Sequence, residues 1–417
     1  MSARRSGTFY GWRVAQAGFV LALFGWGLGF YSPPIFLSVI RETRGWSIAL
    51  ISSAITVHFL LGSLAGANLP ALHRRFGARA ITKAGALAMA AGICGWAMAS
   101  APWHLFVAAT LSGIGWGTMS AAALNCIVSP WFARRRPAAL GFAYNGGSVG
   151  GIIFSPLWVG AITGLGFPLA ASLIAVVTVT IVWILAEAVF SKTTATMGVQ
   201  PDGDEPGAET VLVRSRAARP LPGAMLWRDR KFRTLAAAMA LGLFAQIGLM
   251  AHLFSLLVPA LGAGQAGLAM ALITAMAIAG RTLLGSLMPP HADRRVVGCG
   301  GYLMQAAGSL VLMAAAGTNV PLLLAGIVLF GLGFGNATSL PPLIAQVEFA
   351  EEDVARVAAL IVGLAQGIGA MAPALFGLVR DLVSPASMQT GEAPAVFAAA
   401  AFVQCLAVGV LAMGRGR

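Results

Sequence analysis

The sequence predicts an all-α membrane protein whose twelve transmembrane helices form two pseudo-symmetric six-helix halves. Three observations carry that prediction: an apolar composition, twelve apolar windows long enough to cross a bilayer, and a pattern in the first half that returns in the second. Of 417 residues, 58% are hydrophobic and 10% charged, with a mean hydropathy of +0.83, far from the balance of a chain folded in water. A hydrocarbon core about 30 Å thick takes about 20 apolar helical residues to cross.

The first six windows lie near 13–39, 47–72, 78–100, 103–128, 138–163 and 167–190. The first follows Arg4 and Arg5 but is too long for the apolar stretch of a signal peptide, so it is read as an uncleaved first span. Arg41 and Arg44 separate it from the second; Arg74, Arg75, Arg79 and Lys83 cluster at the turn to the third; Arg134, Arg135 and Arg136 precede the fifth. The second set lies near 233–261, 265–288, 296–317, 321–346, 355–382 and 394–413, broken by Arg294 and Arg295, by Glu351, Glu352 and Asp353, by Arg380 and by Pro and Gly. The division is therefore residues 1–190 as an N-terminal half, 191–231 as a polar cytoplasmic linker and 232–417 as a C-terminal half.

The net charge of +13 is distributed on one side. With the N-terminus inside, the cytoplasmic segments collect nearly all the basic residues, and the outer loops hold Arg41, Arg44 and Arg380. That is the positive-inside bias, which predicts both termini in the cytoplasm and a multi-pass protein of an inner membrane. It makes the lipid bilayer the partner of this surface and removes any need for nucleic acid. Gly is abundant at 52, which suits close helix approach in lipid. Cys94, Cys126, Cys299 and Cys405 each sit in an apolar stretch, without CxxC spacing, and are read as buried thiols. No metal site and no cofactor are expected.

The halves echo each other. Leu60-Leu61-Gly62-Ser63-Leu64 recurs as Leu283-Leu284-Gly285-Ser286-Leu287, and Gly113-x-Gly115-x-Gly117 recurs as Gly331-x-Gly333-x-Gly335. Phe132-Ala133 with three arginines is matched in position by Phe349-Ala350 with three acids. Nearly equal offsets argue for two parallel repeats, with a substrate site between them near the midplane. The glycine spacings themselves, including Gly147 with Gly151, are read as packing motifs.

These residues resemble the major facilitator superfamily, and within it the branch of monocarboxylate transporters and oxalate:formate antiporters. The marks are Trp131-Phe132 with its basic run, Gly280-Arg281, the linker segment from Met197 to Gly203, and Ala365-Gln366-Gly367; the resemblance covers essentially the whole chain. It implies a secondary active transporter working by alternating access, carrying a small carboxylate together with a proton or against a counter-anion, as a monomer. In that branch an arginine at the place of Arg281 binds the substrate carboxylate. Two departures qualify the likeness: Gln366 stands where oxalate-type members have a lysine, which disfavours a dicarboxylate, and Ala277 stands where proton-coupled members have an aspartate.

From the residues themselves, Arg281 reads as the basic group deep inside a span, with no obvious acid to pair with, since Glu187 lies near the cytoplasmic end of the sixth window. A guanidinium stays charged and its planar fork suits a carboxylate; its structural alternative is snorkelling or bonding helix carbonyls. Superposing the repeats puts His58 opposite Arg281 and Tyr31 opposite His252, so four polar groups are expected around one cavity, with a histidine either titrating during transport or tied to a neighbouring helix. Trp116 and Phe334 are expected as aromatic walls, and Asn145 and Gln366 as polar groups at matching depths. For the cytoplasmic gate the resemblance implies an acid after the second span; here the sequence suggests the reverse, with Arg74, Arg75 or Arg134, Arg135 and Arg136 pairing with Glu351, Glu352 and Asp353. Those acids also suit a helix N-terminus without any gate.

Two other classes fit less well. Gly146-Gly147-Ser148-Val149-Gly150 matches the GxSxG of a nucleophile elbow, but that motif needs a strand–turn–helix and a histidine–acid pair, so no enzyme is expected. An exporter of drugs or of hydrophobic or neutral solutes is the alternative function; the cationic kind would want an acid in the cavity, and none is visible.

Overall fold

The computed structural model describes residues 9–203, 223–289 and 292–415. Arg4 and Arg5, and the stretch of the linker from 204 to 222, lie outside them. Among the described residues nine helices are long and apolar enough to cross a membrane. Two of these are pairs of spans continuous through a sharp corner, and a shorter apolar helix is extended by the one that follows, so the described residues hold twelve spans.

The first span, α1, is Tyr10–Gly29 continued after a break by Pro33–Arg44. Ile48–Met98 divides at Gly77 into α2 (48–76) and α3 (78–98). Then come α4, Pro102–Met119 with Ala121–Val128; α5, Arg136–Leu165; and α6, Phe167–Ala188. Arg230–Leu287 divides at Gly262 into α7 (230–261) and α8 (263–287). Four more spans follow: α9, Arg294–Ala314; α10, Val320–Phe334 with Asn336–Glu348; α11, Glu351–Gly369 with Ala372–Val383; and α12, Pro394–Met413. Both corners have positive φ, +79° at Gly77 and +71° at Gly262, which a side chain with a Cβ resists. Helix starts use residues that supply what the first turn lacks: Pro in the first turn of α4, α5, α6 and α12, and Asp229 accepting from the N–H of Phe232 at 2.8 Å.

Within each half the GxGxG stretches do the same work. A Cβ on Gly113 would strike the backbone of His58, and one on Gly117 the carbonyl of Gly62, which brings α4 onto α2. A Cβ on Gly331 would crowd Met276 and Ile273, and one on Gly335 the carbonyl of Ala277, which brings α10 onto α8. Lipid gives no hydrophobic drive between helices, so such close approach is what gains dispersion energy.

The halves meet on the side away from the chain ends. There the N–H of Ala49 at the start of α2 donates to Asp381 of α11 at 2.8 Å, the N–H of Ala374 donates to Thr56 Oγ1 at 3.0 Å, and Gly377 lies against Ser52. Likewise Gly267 of α8 packs on Pro156 and Val159 of α5. Toward the side of the chain ends the same faces part: Gly141 of α5, Gly285 of α8, and Gly363 and Gly367 of α11 have no neighbour within 4 Å of where a Cβ would stand. The printed contacts between the halves thus gather on the far side.

Several charges are placed differently from the sequence expectation. Arg380 is no loop residue: it is fully buried in α11, donating from Nη1 to Ser255 Oγ at 2.6 Å and from Nε to Ser387 Oγ at 2.7 Å. Arg281 is thus not alone inside a span, because the short helix Ser387–Thr390 folds back over Arg380, which local hydropathy does not register. Arg295 is also buried, in the first turn of α9, and holds Glu348 bidentately at 2.6 and 2.7 Å. Glu187 joins α6 to α3 through Arg79 at 2.6 Å and through Lys83. The cysteines are free but not buried thiols: Cys405 is exposed and the other three are half-buried, since one face of every span looks outward.

Candidate substrate site between the two halves

The site begins with a break in α1. Pro33 and Pro34 carry no N–H, so the carbonyls of Gly29 and Phe30 lose the donors a continuous helix would supply. The chain adjusts locally: the N–H groups of Phe30 and Tyr31 both reach the carbonyl of Trp26, at 2.9 and 3.0 Å, and the Ser32 hydroxyl donates to the carbonyl of Gly27 at 2.7 Å. The break turns Phe30 and Tyr31 toward the other half. The Phe30 ring stands 5.8 Å from Phe59 and, across the interface, 6.3 Å from Phe334 of α10.

Tyr31 crosses to α8. Its ring and Thr274 Oγ1 lie side by side against Gly151, and Arg281 is its charged neighbour. The contact is possible because Gly151 of α5 leaves room: a Cβ there would stand 2.6 Å from Tyr31 Cζ and 2.7 Å from Thr274 Oγ1. Arg281 is half-buried. Its Nε donates to the carbonyl of Gly335, at the joint between the two segments of α10, at 3.3 Å, and among the described residues no carboxylate forms an ion pair with it. Gln246, buried in α7, donates to the carbonyl of Phe334 at 2.9 Å and fixes that side of the joint. Thr274, Gly335, Gln246 and Phe30 were not singled out from the sequence. Thr274 lies two helical turns before Arg281 on the same face of α8, so the helical period would have found it.

Of the expected walls, Phe334 faces the interface, whereas Trp116 is buried behind it, wedged against Gly29 and Gly62 with its ring 5.0 Å from Trp26. Asn145 is exposed and Gln366 half-buried, on stretches of α5 and α11 where the halves have separated.

The histidines are not brought to Arg281. His58 is 1% exposed inside the N-terminal half, with Nδ1 2.8 Å from Ser112 Oγ and Nε2 2.8 Å from the carbonyl of Gly29. The twofold relation does place its backbone opposite that of Arg281, but the imidazole is too short to pass α1 and turns into its own half. His252 is fully buried against α11, with Nε2 3.1 Å from the carbonyl of Pro373, near Arg380 rather than Arg281.

On the terminal side Arg74, Arg75, Arg135, Arg136, Glu351 and Glu352 are exposed, and Asp353 pairs with Arg356 at 3.4 Å. The loop before α5 is tied down differently from the expectation: Asp202 of the linker accepts from the backbone N–H groups of Ala133 and Arg134 at 3.1 and 2.6 Å. Asp293 caps α9 and meets Arg415 at 2.8 Å. Burial would raise its carboxyl, but the hydrogen bonds from Arg415 and from the N–H groups of Val296 and Arg295 outweigh it and hold it below its usual 3.8. Ser148 lies in the middle of α5, not on a strand-to-helix turn. Among the described residues no group of three His, Cys, Asp or Glu side chains could hold a metal ion.

A fixed cation, a phenol and a hydroxyl among aromatic rings, at the interface of the halves, can take an anionic head with an apolar body. Known proteins agree with the architecture. The chain is 30% identical over 173 residues to monocarboxylate transporter 11 of Homo sapiens, 38% of this chain and 35% of that one, and 27% identical over 169 residues to MFS-type transporter 1 of Ophiocordyceps sp., 39% and 37%. It thus spans about a third of the length of these curated relatives. Among solved structures, the nucleoside transporter NupG aligns with a TM-score of 0.70 at 14% identity, over 97% of this chain and 100% of that one. A bacterial homolog of the human lysosomal transporter Spinster, inward-facing and unoccupied, aligns with a TM-score of 0.68 at 13% identity, over 99% and 98%. Residues 17–374 match the pattern of the Major Facilitator Superfamily, and the chain belongs to that superfamily.

Proposed function

We propose that this transporter carries a small organic anion, of monocarboxylate type, by alternating access, with Arg281 receiving the carboxylate. The observation that carries the reading is the half-buried guanidinium of Arg281 at the interface, beside Tyr31, donating to the carbonyl of Gly335 and, among the described residues, in no ion pair. Leaving such a group without a counter-charge in a membrane is costly, and a substrate carboxylate supplies one. The single charge suits a monoanion. Phe30, Phe59 and Phe334 offer the apolar part of the substrate a surface, Tyr31 and Thr274 hydroxyl contacts, and Asn145 and Gln366 further polar contacts along the open cleft. The partial likeness to monocarboxylate transporter 11 supports the same reading.

The terminal side is cytoplasmic on the positive-inside argument, so the open form faces inward, in an inner membrane, with both termini inside. Closing that side would bring Arg74, Arg75 or the Arg134 to Arg136 run toward Glu351, Glu352 and Asp353. Exposed pairs are individually weak, so the latch would act as a network. Working as a monomer, the protein would move its substrate with a proton or against a second anion.

The test is uptake by proteoliposomes of labelled acetate, lactate, pyruvate and benzoate, with uridine as a neutral control, comparing the native chain with Arg281→Gln. Uptake of one acid, lost in the variant, is expected. Uptake of uridine alone, unaffected by the variant, would overturn the anion reading in favour of a neutral solute.

A further inference from the structure

We infer that His58 is a positioning residue: as a neutral imidazole it replaces the backbone donor missing from the α1 break, and so holds Phe30 and Tyr31 in the site. The inference rests on the reading that those two residues line the transport path.

In a continuous helix the carbonyl of Gly29 would accept from the N–H of the residue four positions on. That residue is Pro33, which has none. A carbonyl stranded at membrane depth needs another donor, and the Nε2 of His58 lies 2.8 Å from it. A carbonyl can only accept, so Nε2 carries the hydrogen. In the neutral ring Nδ1 is then an acceptor, and Ser112 Oγ at 2.8 Å donates to it. Ser112 in turn accepts from Trp96 Nε1 at 3.1 Å. The chain Trp96 to Ser112 to His58 to Gly29 runs in one direction and leaves no ring nitrogen unpartnered. A second ring proton would put two donors face to face unless Ser112 turned its hydrogen to the carbonyl of Ala109 at 3.3 Å.

The surroundings are built for this contact. Gly113 lies against the His58 backbone where any side chain would collide, so α2 sits close enough to α4 for the ring to reach Ser112. Among the described residues no carboxylate or cation touches the ring; its polar partners are those of α1 and α4. The arrangement thereby fixes the segment Gly29 to Ser32 from behind, while Tyr31 reaches forward to α8. His58 touches no substrate in this picture and takes up no second proton.

Glutamine tests the point, because its amide can donate to Gly29 and accept from Ser112 without titrating. In a chain whose four cysteines are replaced by alanine and which carries Tyr31→Cys, the rate of labelling by a membrane-permeant maleimide reports the place of the break without any substrate. His58→Gln is expected to leave that rate within about twofold of the His58 parent, and His58→Leu to shift it by about tenfold or more, the scale of a lost buried hydrogen bond. A separate readout is the ¹⁵N spectrum of histidine-labelled protein in bilayers, with the His58 signal identified by its loss in His58→Gln. The neutral ring protonated at Nε2 is expected throughout about pH 5 to 8, the window in which an ordinary histidine titrates. A second proton bound within that window, or a His58→Gln rate as altered as that of His58→Leu, would overturn the inference; should His58→Leu fail to fold, the glutamine rate and the spectrum decide alone. Failure of every carboxylate in the uptake panel would remove the anion reading and leave these two results standing.

Discussion

His58 and Arg281 occupy equivalent places in the two halves, each two residues before a Leu-Leu-Gly-Ser-Leu segment, and they do opposite things. His58 is sealed in its own half with both ring nitrogens engaged. Arg281 reaches the interface, donating to the carbonyl of Gly335. Equal backbone positions in a duplicated scaffold therefore do not make equal contributions to a site. Side-chain length and the state of the neighbouring helix decide: α1 breaks at Pro33 and consumes the histidine's donor, while the arginine passes beyond its own helix and meets Tyr31. Arg295 and Arg380 extend the comparison, as buried cations that are answered, one by Glu348 and the other by Ser255 and Ser387.

The largest expected effect sharpens that contrast by unpairing an answered cation. Glu348→Gln leaves Arg295 buried without its carboxylate and should lower stability by about 3 kcal/mol, read as thermal unfolding in detergent, with the KM for substrate unchanged in the folded fraction. A stable variant with altered KM would make Arg295 part of the site rather than of the frame. Next, Arg281→Gln should cut kcat/KM by about 100-fold, since truncating one partner of a charged pair costs about 2–5 kcal/mol, while unfolding temperature stays put or rises. A destabilised variant with normal uptake would put Arg281 with the structural cations. Smaller again is the far-side closure. Asp381→Asn weakens a charged hydrogen bond to the N–H of Ala49, of the order of 1.5 kcal/mol, and should raise the labelling of a thiol placed at Ser52 about tenfold as the closed side opens more often; unaltered labelling would assign the closure to helix packing alone. The smallest effect is Asp293→Ala, which removes a helix cap and should cost about 1 kcal/mol. Because the folded carboxyl is held below its ordinary 3.8, this contribution is present at neutral pH and fades only as pH falls through that lowered value, so acid unfolding curves of variant and native chain should differ down to 3.8 and converge only below it.

Much of the fold is legible in the sequence because a bilayer leaves few options. Twelve apolar windows yield twelve spans whose ends differ from the expectation by a few residues, as α1 does in running from Tyr10 to Arg44 rather than from 13 to 39. The repeat of GxGxG could be read as packing because glycine at that spacing has little else to offer in lipid. The site was legible in part. Arg281 and Tyr31 stand out as polar residues amid apolar runs, and the structure brings them together; Phe334 was found through its repeat partner. Arg380 was misplaced because a charge near the end of a window looks like a loop residue until the chain folds back over it. His58 was drawn toward the cavity by symmetry, which relates backbones and not side-chain directions.

What the sequence determined by itself is the membrane solvent, the number of spans, the duplication and the presence of a guanidinium within α8, because each follows from local hydropathy or from a repeat that can be read along the chain. What only the tertiary structure decided is which polar groups are consumed and which remain. Pro33 creates an orphan carbonyl whose donor comes from another helix, Gly151 makes room for Tyr31 to reach Thr274, and Asp381 finds the start of α2. Such pairings join residues far apart in sequence, and at membrane depth every polar group must find some partner, so the remainder that is left for a substrate is known only after all the partners have been assigned.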